Sequence, residues 1–176
     1  TADTFLGGRV EALQHAKGHH RAGLEAVLLA ASLDSRITGT VVDLGAGVGV
    51  AGFCAAARCR NARVVLVERN AEALACARAA LERPANAAFA DRVRIAAADI
   101  TAPEAERAAA GMGRDLADHV LLNPPFHLTQ GGTRTPAEAR GEAHVLESGG
   151  LDSWFRAAAS VLKFRGDATV VFRADG

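Results

Sequence analysis

Four times along this chain an apolar run is cut short by a polar residue and followed by residues that cannot continue a strand. Thr40-Val41-Val42-Asp43-Leu44 gives way to Gly45-Ala46-Gly47-Val48-Gly49 and an alanine-rich helical stretch over 50–59. The run 62–68 ends on Glu68, and Asn70 then offers an N-cap for a helix over 71–82. The run 92–99 ends on Asp99 ahead of a helix within 103–111, and 118–122 ends on Asn123-Pro124-Pro125-Phe126. Strands alternating with helices predict an α/β fold with a mostly parallel sheet, helices on both faces and right-handed crossovers. Upstream, Leu24, Val27, Leu28 and Ala31 stand at helical spacing within 22–33, and Arg9–Gln14 alternates weakly like a short strand. Downstream, Thr135, Pro136 and Glu138 form a capping-box start. Leu151, Trp154, Phe155, Ala158, Val161 and Leu162 mark a strong helix, and 167–173 reads as a last strand.

At 176 residues the chain suits one domain, 1–176, with a segment 1–38 preceding a core over 39–176. Formal net charge is zero, so nothing global draws it to nucleic acid, and a polyanion would need a local basic patch. Arg9, Lys17, His19, His20 and Arg21 are one candidate; a solvated face is the plainer reading. Cys54, Cys59 and Cys76 form no metal-ligand spacing, and Cys54 and Cys59 point to different sides of one helix. Three small, reduced, mostly buried residues fit a cytoplasmic protein. No apolar run reaches membrane-spanning length and no signal peptide stands at the start, although Thr1 is not an initiator methionine.

In open α/β sheets, ligands sit at the carboxyl ends of the strands. Those ends carry Asp43, Glu68, Asp99 and Asn123. Each carboxylate could simply cap the turn after it, but four polar strand ends in register favour a binding edge. Gly47, Gly49 and Gly52 spell G-x-G-x-x-G, which with Glu68 invites a nicotinamide-cofactor reading. In that cofactor's register the first glycine follows the strand directly, at Gly45, and Val50 then takes the third glycine's place. An acid at Asp43 suits a ligand bearing an ammonium group better than a pyrophosphate.

Together "VVDLGAGVG", the acid closing "VVLVERN", "AAADI" and "NPPF" resemble the successive motifs of class I S-adenosylmethionine-dependent methyltransferases, which have a Rossmann-like fold. The segment "FLGGRVEALQHAKGHHRAGLEAVLLAAS" is similar to the one before the Gly-rich loop in tRNA(Val) adenine-N6 methyltransferases, so the resemblance runs from about Phe5 onward. It implies that Gly45, Ala46 and Gly47 line the methionine part of S-adenosylmethionine, with Asp43 fixing the loop and the amino group. Glu68 would accept from both ribose hydroxyls and Asp99 from the adenine amino group. Asn123, Pro124 and Phe126 would act on the substrate, Asn123 bordering the cofactor as well. An exocyclic amine is a poor nucleophile, and two acceptors, the Asn123 side-chain oxygen and the Pro124 carbonyl, would hold its N–H groups so that the lone pair faces the methyl. The two prolines fix the carbonyl direction, and Phe126 offers a stacking face for a flipped base.

Glu25 stands where relatives often have Asp, and Phe126 where they commonly have Tyr; "NPPFH" is also similar to guanine-N2 rRNA methyltransferases. The expected partner is RNA, tRNA first. Guanine N2 of rRNA or a protein glutamine amide are the alternatives, and a nicotinamide oxidoreductase or a non-catalytic binder those of another class. His127 has no assigned role, Arg134 and Arg140 are phosphate-contact candidates, and His15, His19, His20 and His144 read as surface residues. The resemblance also implies a helix and an antiparallel strand pair beyond the fifth core strand, where this chain stops, so a domain truncated after that strand is the expectation.

Overall fold

Burial on both faces explains why the core strands read as near-continuous apolar runs. The computed structural model describes residues 1–14, 21–124 and 150–172. Phe126, His127, Arg134, Arg140, the 135–138 capping box, Lys17 and all the histidines but His119 lie outside them. Five parallel strands, β3 (Thr38–Leu44), β4 (Asn61–Glu68), β5 (Val93–Ala97), β6 (Ala117–Leu122) and β7 (Leu162–Val170), line up in the order β5-β4-β3-β6-β7.

Alternate residues of these strands feed two cores. Val41, Val64, Leu66 and Leu121 pack with Leu29 of α1 (Leu24–Ala31), Phe53 of α2 (Val50–Arg58) and Ala77 of α3 (Ala71–Leu81). Val42, Val65, Val67, Val120 and Leu122 pack on the other face with Met112, Trp154, Ala158 and Val161, the last three on α5 (Gly150–Val161). The short α4 (Glu104–Ala109) joins this second layer, with Arg107 donating to Ser160 of α5. Asn70 caps α3 as expected, its Oδ1 accepting from the Glu72 and Ala73 N–H groups.

Three boundaries depart from expectation. The weakly alternating stretch is β2 (Val10–Leu13), and it pairs antiparallel with β1 (Ala2–Phe5), a strand the sequence pattern did not announce. The last strand begins at Leu162 rather than 167, so Leu162 leaves the helix. The pairing with β6 slips between Ala117 and His119, and Arg165 takes a left-handed φ of 66°. Gly166 permits this, since a Cβ there would lie 3.1 Å from both the Ala117 and Asp118 carbonyl oxygens.

Asn86, fully buried, docks the β1–β2 hairpin on the core. Its Oδ1 accepts from Glu11 N–H (2.9 Å), and its Nδ2 donates to the Glu11 and Ala80 carbonyls (2.7 Å each). Arg9 adds a bond to the Ala57 carbonyl, and Arg21 pairs with Asp3. Two members of the candidate basic patch therefore serve the hairpin. Asn86→Ala leaves three backbone groups without that partner and should lower stability by about 1–3 kcal/mol. Denaturant unfolding checks the loss, and hydrogen exchange over Val10–Leu13 should show the hairpin opening first.

Candidate functional site

The chain lays down β3, β4 and β5 outward in one direction, then returns to the other side of β3 with β6. Connections leaving β3 and β6 therefore part from one another, and the crevice between them is the ligand position of such sheets. Leu44 pairs with both Val67 and Leu122, and Glu68 with Ala97, so the four strand ends are level. Gly45 and Asn123 follow side by side, Glu68 closes β4, and Asp99 stands two residues beyond β5.

The loop after β3 depends on left-handed glycines: Gly45 (φ 71°), Gly47 (φ 56°) and Gly49 (φ 91°). The N–H groups of Gly45 and Ala46 both donate to the Val67 carbonyl at 2.9 Å, pinning the loop across β4. A Cβ on Gly45 would lie 2.4 Å from the Trp154 ring, whereas one on Gly47 would meet nothing within 4 Å among the described residues. One end of the loop is thus closed by the tryptophan, and the backbone at Gly47 borders open space.

Asp43 is 2% exposed, and its Oδ2 accepts from Gly52 N–H at 2.8 Å. A Cβ on Gly52 would fall 2.1 Å from Leu66, so glycine is what lets α2 come this close. The literal G-x-G-x-x-G thus ends on a packing glycine. Burial pushes the Asp43 carboxyl up to about 7, with the Gly52 N–H opposing and the neighbouring Glu68 charge adding to the rise. Asp43 does fasten the loop and helix, but it is a buried, bonded carboxylate rather than a free one.

Glu68 Oε2 accepts from Gly47 N–H (2.9 Å), and Oε1 from the Arg69 and Asn70 N–H groups (2.8 Å each). Of the roughly four acceptor positions on a carboxylate, one remains on Oε2. Asp99 Oδ1 accepts from Thr101 N–H (2.8 Å) and Thr101 Oγ1 (2.7 Å), and Oδ2 from Arg69 Nη1 (2.9 Å). Desolvation raises the Asp99 carboxyl, but the Thr101 and Arg69 bonds outweigh it and hold it below the usual range. Asn123 is half-buried, and its Oδ1 is fully enclosed with no hydrogen-bond partner among the described residues. Pro124 beside it is buried.

Sequence reasoning missed Thr101, Arg69 and Trp154 as parts of this edge. Asp99-Ile100-Thr101 carries the signal of an Asx turn, which would have found the first. Nothing local announces the other two, whose contacts lie 30 residues or more away. Cys54 and Cys59 are free and buried, and burial pushes the Cys54 thiol up to about 12, so neither belongs to the site. Among the described residues no group of three or more His, Cys, Asp and Glu could hold a metal, and no helix is long and apolar enough to cross a membrane.

Residues 18–174 match the family described as methyltransferase small domain. The chain is 28% identical over 156 residues to a tRNA1(Val) (adenine(37)-N6)-methyltransferase of Phocaeicola vulgatus, covering 89% of this chain and 61% of that protein. It is 34% identical over 91 residues to ribosomal RNA large subunit methyltransferase G of Pseudoalteromonas translucida, covering 52% of this chain and 22% of that protein. A crystal structure described as a predicted O-methyltransferase from Agrobacterium tumefaciens superposes with a TM-score of 0.68 at 32% identity, covering 85% of this chain and 62% of that one. The chain thus spans between about a fifth and three fifths of the length of these curated relatives.

The raised Asp43 carboxyl has a consequence for stability. The folded chain holds this proton up to about pH 7 and the unfolded chain releases it near 3.8, so between those values the folded state binds more protons. Stability from this group is therefore present at low pH and falls as pH rises through that window, by a few kcal/mol in order of magnitude. Asp43→Asn keeps an oxygen for Gly52 N–H and should flatten the slope, as read from denaturant midpoints measured from pH 4 to 8.

Proposed function

The chain belongs to the methyltransferase small domain family, and on that premise we propose that it transfers a methyl group from S-adenosylmethionine to an exocyclic amino nitrogen of RNA, N6 of an adenine in tRNA. The observation that carries the reading is the enclosed, unpartnered Asn123 Oδ1 at the crevice between β3 and β6. A buried amide oxygen without a donor is costly in a folded protein, and an amine N–H of a bound base would relieve it.

The residues fit the cofactor. Gly47 lets backbone approach a ligand from open space, and Glu68 and Asp99 each keep one acceptor position after their own bonds are counted. A ribose offers two hydroxyls, so Glu68 takes one as it stands; the second position opens when Gly47 N–H leaves Oε2. Asp99 would accept from the adenine amino group, and Asp43 acts on the site through Gly52 and the loop. Bound there, S-adenosylmethionine supplies an electrophilic methyl group on a sulfonium.

Asn123 Oδ1 and the Pro124 carbonyl would each accept one N–H of the reacting amine. Held in this way, the nitrogen turns its lone pair out of the ring's conjugation and toward the methyl. The arrangement is preorganised and needs no titrating side chain as base. Pro124 holds Asn123 out of the helical region, so the pair presents its oxygens in one fixed relation. Phe126, at the end of the motif, is assigned the stacking face for the base. Such a substrate implies a cytoplasmic protein.

The choice of adenine in tRNA rests on extent: the tRNA enzyme's match covers 89% of this chain, against 52% for the rRNA enzyme's. Guanine N2 of rRNA is the second reading: the match to the rRNA enzyme supports the RNA class, and the likeness of "NPPFH" to guanine-N2 enzymes the base. Transfer of labelled methyl to separate tRNA and rRNA fractions, followed by nucleoside analysis, tests both; 6-methyladenosine in tRNA is expected, and label in neither fraction sinks the proposal.

Asn123→Ala should slow single-turnover methylation by about 10²–10³ while S-adenosylhomocysteine binding is mostly spared. Glu68→Ala should instead weaken that ligand by at least one charge-assisted hydrogen bond, about 1.5–3 kcal/mol by calorimetry.

A further inference from the structure

Arg69 directly follows Glu68, and its Nη1 reaches Asp99 Oδ2 at 2.9 Å. Glu68 is paired with Ala97, so this ion pair spans the ends of β4 and β5, between the residues assigned to the ribose and to the purine. The two side chains are 44% and 35% exposed. Exposed pairs of this kind contribute little to folding, and this one stands at the binding edge.

Both positions on Asp99 Oδ1 are filled by Thr101, and Arg69 fills one on Oδ2. A single position remains, its direction set by the guanidinium beside it. We propose that Arg69 is a positioning residue that determines purine specificity in the cofactor site: by holding Asp99 Oδ2 between the two strand ends, it leaves one acceptor, which takes an amino N–H at the purine 6-position and refuses an oxygen there.

A carboxylate cannot donate, so a 6-oxo purine sets acceptor against acceptor and leaves both unpaired. The guanidinium also fills a position on Oδ2 that water would otherwise take. Without Arg69 that position hydrates, and a water held there can donate to a purine oxygen, so the refusal is lost. A role confined to shaping the loop would weaken all ligands alike and leave the choice between them intact.

This inference rests on the cofactor reading above, and the test separates the two. S-adenosylhomocysteine and its 6-oxo counterpart, S-inosylhomocysteine, are titrated calorimetrically into the full chain and its Arg69→Ala and Arg69→Lys variants, with thermal unfolding to confirm folding. The parent should prefer the 6-amino ligand by about tenfold or more. Arg69→Ala should lose most of that preference, chiefly by tighter binding of the 6-oxo ligand. Arg69→Lys, which keeps a charged donor but not the planar fork, should retain part of it. If Arg69→Ala keeps the parent's ratio, the inference is overturned while the cofactor reading stands; a parent that binds neither ligand overturns both.

Discussion

The hydrogen bond from Gly52 N–H to the buried Asp43 carboxylate ties the start of α2 to the end of β3, and the shape of the loop between them depends on it. It draws the first turns of α2 onto β3 and β4, closely enough that Leu66 leaves no room for a side chain at Gly52. With the helix so near, the chain must reverse within Gly45–Gly49, and three glycines in left-handed conformation make that turn. The N–H groups freed by the reversal then find partners on β4: Val67 for Gly45 and Ala46, and Glu68 for Gly47. One internal carboxylate thus fixes the loop, and the loop in turn helps to orient the half-buried Glu68 carboxylate proposed to meet the ribose. Burial of such a group is tolerated because a backbone donor meets it and its own affinity for a proton rises.

Glu68 and Asp99 do not divide into structural caps and proposed binding groups; each is fitted for both. Glu68 caps the turn into α3, Asp99 closes an Asx turn, and each retains one acceptor position. Recognition by a carboxylate held on three sides is narrower than recognition by a free one, because side chain and ligand have fewer ways to meet. Asn123 is the opposite case, an oxygen with no donor among the described residues. The edge therefore combines nearly satisfied anions with one unsatisfied amide, and the two kinds of group suit different jobs: holding a ligand, and relieving a deficit when a substrate amine arrives.

The sheet and its polar strand ends were legible because two-sided burial writes itself as valine runs, and a strand's last residue is where that pressure lifts. Hence Asp43, Glu68, Asp99 and Asn123 could be picked out by position. β1 was not legible: Ala2–Phe5 has one face half-exposed, and its partner is chosen by Asn86, whose bonds to Glu11 span 75 residues. The start of β7 was hidden because Leu162 continues a helical spacing that the structure ends at Val161. Arg69 looked like any solvated arginine, since its pairing with Asp99 follows from the register of β4 on β5 and not from anything within reach in sequence. Asp43 could be placed at the strand end by position, but its depth follows from Gly52, nine residues on in α2, and only packing reveals that.

Trp154 reaches across from α5 to cover the bare face of Gly45, and it is 8% exposed. The chain has no other tryptophan and no tyrosine at all. Its ultraviolet emission therefore comes essentially from one indole, lodged against the first glycine of the loop that the cofactor is proposed to occupy. Any shift of that glycine changes the packing, and with it the polarity and quenching, around the emitting ring. The fold has placed a native optical reporter against the glycine loop after β3, with no label needed and no second tryptophan in the chain to dilute the signal.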